Sequence, residues 1–171
     1  MSWSDRARPI TIPTLAVLAF TLSACTVQPL YGPGPTGAAV TRTLTNIEID
    51  PVTTRAAQQV RNRLLTVIGG DGPPTYRLSL AVGTTDSGLG VSAVEKAPVY
   101  TVTVLATWAV TSVETGDIVL RGTSSGTASW DRVNQLYANS RAHIDAEDRA
   151  AVLAADDIRI RLSVAAAKGT I

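Results

Sequence analysis

The sequence predicts an α/β two-layer sandwich of the α+β kind, in which two helices pack on one face of a four-stranded mixed sheet in the order β-α-β-β-β-α. Three observations predict it. A helical apolar period runs from Thr53 to about Ile68, a two-residue alternation runs from Tyr76 and again from Tyr100, and a longer helical period runs from about Ser140 to Lys168.

In chain order, Leu44, Ile47 and Ile49 read as a short first strand that Asp50-Pro51 stops. Thr53 and Thr54 offer N-caps for the helix that follows, in which Ala56, Ala57, Val60, Leu64, Val67 and Ile68 share a face, and Gly69-Gly70 ends it. The opposite face carries Arg55, Gln58, Gln59, Asn62 and Arg63, which read as a solvated surface or a partner site. Tyr76, Leu78, Leu80 and Val82 alternate with Arg77, Ser79, Ala81 and Gly83, the pattern of a strand with one buried face. A loop from Asp86 to Pro98 is expected next.

From Tyr100, Val102, Val104, Ala106, Trp108 and Val110 point one way, while Thr101, Thr103, Thr107 and Thr111 point the other. Glu114-Thr115-Gly116-Asp117 makes a hairpin turn. On the returning strand Arg121, Thr123, Ser125, Thr127 and Ser129 extend the threonine side, so strands three and four present a broad hydroxyl-rich surface that no helix covers. In the last helix Ala151, Ala155, Ile158, Leu162 and Ala165 form one stripe, and Asp145 with Arg149 and Asp157 with Arg161 are spaced for ion pairs along the helix. Leu153, Ile160 and Val164 form a second stripe that meets either the first helix or a partner; periodicity does not decide between them.

The N-terminus says where the protein resides. Arg6 and Arg8 precede an apolar stretch from Ile10 to Leu22, the layout of a secretory signal and too short for a membrane span. Leu22-Ser23-Ala24-Cys25 resembles the bacterial lipobox, which implies a lipid on the Cys25 thiol and cleavage before it. Residues 1–24 are then a signal peptide, 25–42 a Pro/Gly-rich tether and 43–171 a single folded domain. Two or more acyl chains give stable anchoring. Thr26 stands where an aspartate would signal retention in the inner membrane, so the expected location is the outer membrane, facing the periplasm.

Removing residues 1–24 from the 171-residue chain takes Arg6, Arg8 and Asp5 with it and brings the formal charge from +1 to zero. A neutral chain is no general polyanion binder, which excludes a nucleic-acid function. No second cysteine exists to form a disulfide, so apolar burial must hold the fold.

Little points to catalysis. His143 is the single histidine, beside Asp145 and Glu147, and reads as a solvent-facing or capping residue; metal sites need several converging ligands, and no nucleophile with an orienting acid is identifiable. Asp148, Asp156 and Asp157 pair with arginines or face water. Gly32, Gly34 and Gly37 have dinucleotide-fingerprint spacing, but no strand precedes them and prolines interrupt them. Trp108 reads as core, while Trp130 and Tyr137 are either core packing or an exposed contact.

Cys25-Thr26-Val27-Gln28-Pro29-Leu30-Tyr31-Gly32 resembles the mature start of the LptE family of lipopolysaccharide-assembly lipoproteins in its alphaproteobacterial form. Gln59 to Leu64 is similar to that family's first helix, and Tyr76-Arg77-Leu78 to its second strand. Tyr137-Ala138, Asp145-Ala146, Arg149-Ala150, Leu153-Ala154 and Ile158 resemble its closing helix. The resemblance implies a non-enzymatic protein with no cofactor beyond the lipid on Cys25. It would pair with the outer-membrane barrel LptD, plug its lumen and help deliver lipopolysaccharide to the cell surface. A large barrel has a polar interior, and Thr101, Thr103, Thr107, Thr111, Thr123 and Ser125 would supply a neutral hydrogen-bonding surface for it. For lipid A phosphates the resemblance points to Lys96, Arg121 and Arg77. Two other readings stay open: an auxiliary lipoprotein of an ABC-type lipid transporter, and a periplasmic hydrolase.

Overall fold

The computed structural model describes residues 35 to 70, 72 to 89 and 99 to 171. Its elements are α1 (Pro35–Thr45), β1 (Ile47–Ile49), α2 (Arg55–Leu65), β2 (Tyr76–Leu89), β3 (Val99–Ser112), β4 (Ile118–Asp131) and α3 (Leu136–Ala167). The four strands form one sheet in the order β1-β2-β3-β4, with β1 parallel to β2 and the other pairs antiparallel. The mixed α+β sandwich is as expected from the sequence, with one further helix on its covered face.

That helix corrects the reading of the tether, which extends no further than residue 34. Pro35 suits a first helical position, where the missing N–H is not needed, and Val40 and Leu44, one helical turn apart, are both buried in the core. Leu44 therefore belongs to α1 and not to the first strand. The density of Pro and Gly just upstream hides the spacing of Val40 and Leu44.

Thr54 caps α2 as expected, its hydroxyl accepting from the Ala57 N–H at 3.4 Å. The polar face of α2 is not merely solvated. Arg55 donates to Asp148 at 2.9 Å and Arg63 forks onto Asp156 at 3.1 and 3.3 Å. Both pairs advance by the same number of residues on each helix, so α2 and α3 run side by side in parallel. Arg61 donates to the carbonyls of Ile49 and Asp50, fixing α2 to the end of β1.

β2 does not end before Asp86. It continues to Leu89, because Thr84 to Gly88 pair residue by residue with Val104 to Tyr100, and this pairing overrides the poor strand propensity of Asp and Gly. Gly116, at φ +76°, sits in the turn between β3 and β4. α3 begins at Leu136 and not at Ser140: the Asn139 side-chain amide accepts from the Val133 N–H at 2.8 Å and donates to its carbonyl at 2.7 Å, which folds the β4–α3 link back onto the first turn.

The core lies between the helices and the inward side chains of β2, β3 and β4. Ala146, Ala150, Ala151, Ala154 and Ala155 make a small-residue stripe that lets α3 lie close on β4. Closeness is greatest at Gly126, where an added Cβ would stand 2.0 Å from the Ala150 carbonyl oxygen and 2.7 Å from the Ala154 nitrogen. Trp108 is core as expected, its ring over Gly122, where a Cβ would come within 2.6 Å. Its Nε1–H donates to the buried Ser124 hydroxyl at 3.1 Å. Ser124 in turn bonds Asp157, which pairs with Arg161 at 2.8 Å. Desolvation pushes the Asp157 carboxyl up, but the Ser124 hydroxyl and Arg161 outweigh it and hold the group below its ordinary value.

Candidate interaction face

Side-chain alternation places the polar residues of three strands on the face that no helix among the described residues covers. The register aligns them in rows: Ser87, Thr101 and Ser129; then Thr85, Thr103 and Thr127; then Gly83, Leu105 and Ser125; then Ala81, Thr107 and Thr123; then Ser79, Ala109 and Arg121. Thr101 and Ser129 hydroxyls lie 3.4 Å apart and those of Thr103 and Thr127 3.2 Å apart. Thr111 pairs with Arg77 at one end of the same face. Six residues read from the sequence as a contact surface, Thr101, Thr103, Thr107, Thr111, Thr123 and Ser125, thus share one plane. At its centre Leu105 is 50% exposed, a single apolar contact framed by small side chains.

Among the described residues, charge on this face sits at its two ends, with Arg77 and Arg121 toward the hairpin and Asp131 at the far end of β4. Arg77 is engaged by Glu48 at 3.2 Å and Asp50 at 3.5 Å. Arg121 is exposed and has no ion-pair partner among the described residues. The two arginines flank β3, on the order of 10 Å apart from two strand spacings. Lys96 and Cys25 lie outside the described residues. The strand ends that bracket the segment holding Lys96, Leu89 and Val99, meet at the opposite end of the sheet from Arg121.

That opposite end carries an aromatic cluster. Tyr100 and Trp130 stack with centroids 5.0 Å apart, His143 meets Trp130 edge-on at 5.9 Å, and Arg132 donates to the Tyr100 hydroxyl at 3.2 Å. His143 Nε2 lies 3.1 and 3.2 Å from the two Asp86 carboxylate oxygens. His143 thus ties α3 to β2 and does not simply face solvent. Trp130 is half-buried, whereas Tyr137 is 78% exposed. Tyr100 falls opposite Trp130 because the register shifts by one residue between Val110 and Thr111; counting outward from the hairpin turn does not reveal that shift, so this pair was not within reach of the sequence. Among the described residues no group of His, Cys, Asp and Glu could hold a metal ion, and no helix is long and apolar enough to cross a membrane.

Fold and face together define a small α+β domain whose sheet presents an open, hydroxyl-rich surface with its charges at the ends. The same fold occurs in bacterial lipoproteins. A Caulobacter crescentus protein described as a lipoprotein matches at a TM-score of 0.61 with 24% identity, over 76% of this chain and 97% of that one. A minor lipoprotein from Acinetobacter baumannii matches at a TM-score of 0.52 with 11% identity, over 69% and 88%. Rare lipoprotein B from Shewanella oneidensis aligns at a TM-score of 0.44 with 13% identity, over 72% and 90%. At these identities the likeness to the first two is one of fold alone. No protein-family model and no curated protein matches the chain.

Proposed function

We propose that this protein is a lipid-anchored lipoprotein of the outer membrane that seats its open sheet face in the lumen of the LptD barrel and helps deliver lipopolysaccharide to the outer leaflet, without catalysing a reaction. The observation that carries the proposal is the hydroxyl face: three strands align threonines and serines around an exposed leucine and keep charge to the ends of the face. The centre of such a surface exchanges hydrogen bonds with the polar wall of a large barrel at little desolvation cost, because no ion there has to be stripped of water. The lipobox-like tetrapeptide ending at Cys25 supports the anchor, and the likeness in fold to bacterial lipoproteins is compatible with it.

The test is Thr103→Glu with Thr107→Glu, expressed in the source organism and purified from solubilised envelopes. The wild-type protein is expected to co-elute with a large outer-membrane barrel, and the double variant to elute alone while melting like the wild type. Retention of the barrel by the variant would remove the face from the interface. Co-elution of the wild type with an inner-membrane permease would replace the proposal with the transporter reading.

A further inference from the structure

We propose that the free edge of β4 is a second docking site, built to take one extended strand from another protein as the fifth strand of the sheet. β4 is an edge strand of 14 residues. The Ser112 N–H donates to the Asp117 carbonyl at the turn, so the even-numbered residues Gly122, Ser124, Gly126 and Ala128 face the hydrogen-bonded positions of β3. By the alternation of an antiparallel ladder the odd-numbered residues then turn their N–H and C=O groups outward. Ser129 demonstrates it: its carbonyl accepts from Arg149 on α3 at 2.9 Å. Arg149 caps that end, and among the described residues the row from Arg121 to Thr127 has no strand or side chain bonded to it.

Where that row meets the capped end, at Thr127 to Ser129, lies a groove of about 570 Å³ between β4 and α3, with Asp148 and Arg149 at one side and Val152 and Leu153, 37% and 51% exposed, in its wall. A fifth strand would set alternate side chains on this apolar ledge and the others on the hydroxyl face. Arg121 and Asp131 stand at the two ends of the strand, both exposed and neither with an ion-pair partner among the described residues. The occupant is therefore polarised: running antiparallel to β4, it brings a basic residue to Asp131 and an acidic one to Arg121.

A second copy of this chain does not fit. α3 lies along β4, with Arg149 over Ser129, Ala150 and Ala154 over Gly126, and Asp157 over Ser124. Two copies paired edge to edge would set their α3 helices about one strand spacing apart, roughly 4.8 Å, where packed helices need about 8 to 10 Å. Only a strand without its own helix on that side can enter.

The experiment uses the full chain in detergent micelles and a synthetic eleven-residue peptide, lysine first and glutamate last, with valine and threonine alternating between them. Valine meets the ledge and threonine the ladder. N-methylation of its valines blocks self-association through the outer edge, and N-methylation of its threonines instead blocks the bonds to β4. The expected results are binding of the valine-methylated peptide only, with slowed amide exchange at Thr123, Ser125 and Thr127 while Gly126 and Ala128 stay unchanged. Leu153→Asp, a surface change that leaves the core intact, is expected to weaken binding on the order of tenfold. Equal binding of both peptides, protection elsewhere in the chain, no binding, or dimerisation through β4 would each overturn the proposal. None of these outcomes depends on the barrel, so this test and that of the hydroxyl face fail separately.

Discussion

Gly126→Ala measures how closely the long helix and the edge strand are fitted. The new Cβ would stand 2.0 Å from the Ala150 carbonyl oxygen, 2.7 Å from the Ala154 nitrogen and 2.8 Å from the Leu153 Cβ. Two of the three atoms are backbone of α3, so no side-chain rotation relieves the contact, and the helix has to lift by more than an ångström to reach ordinary van der Waals distance. Lifting loosens the stripe of Ala150, Ala151, Ala154 and Ala155 from the sheet, all of which are fully buried. Overpacking of this kind costs about 2 to 3 kcal/mol, and for a domain of this size that lowers Tm by about 6 to 10 °C. Gly83 on β2 is the control, because a Cβ there meets nothing within 4 Å; Gly83→Ala should be neutral or slightly stabilising through the unfolded chain. Thermal unfolding followed by far-UV circular dichroism compares the two. Equal Tm values would refute the claim that α3 rests directly on β4.

Asp157 gives the fold an acid-sensitive contact. Its folded-state carboxyl is held below the ordinary value, so its contribution to stability is present above the unfolded pKa and is lost as pH falls through the folded one. Asp157→Asn should flatten the fall in stability below about pH 4, read as urea midpoints across pH, whereas a slope equal to wild type would show that the carboxylate is not coupled to folding. Ser124→Ala leaves the buried Trp108 Nε1–H without its partner and should cost about 1 to 3 kcal/mol, measured in the same titration. Truncating Arg121 and Lys96 to alanine should weaken lipopolysaccharide binding in a pull-down without changing Tm, and unchanged binding would take both out of the lipid site. Arg77→Ala is expected to affect binding less, since Glu48 and Asp50 already engage that guanidinium.

Much of this architecture is legible in the residues because the signals are local. Val102 to Val110 alternate without interruption, and that alternation alone separates the buried side of β3 from the threonine side. Thr54, the Glu114 to Asp117 turn and the ion pairs along α3 follow from caps, turn chemistry and spacing. What was not legible depends on partners distant in sequence. Asp86 to Gly88 extend β2 because β3 is long enough to pair with them, and nothing in their own composition favours a strand. Arg55 and Arg63 read as solvated until α3 is laid beside them, where Asp148 and Asp156 wait at the matching spacing. On α3, Leu153, Ile160 and Val164 read equally as a seam to another helix or a surface for a partner; the structure leaves them exposed. For the candidate site, the sequence put the hydroxyls on one face correctly, but it could not place Arg121 and Arg77 at the hairpin end, away from the strand ends that bracket the segment holding Lys96.

The proposed function stands or falls on whether the open sheet face meets the barrel. A photo-crosslinking amino acid placed at Thr103, irradiated in intact cells of the source organism, tests it most directly when compared with the same probe at Arg161 on the solvent side of α3. A single adduct with a large outer-membrane barrel from position 103 and none from position 161 is the predicted result. An adduct with an inner-membrane protein, or equal yields from the two positions, would contradict it.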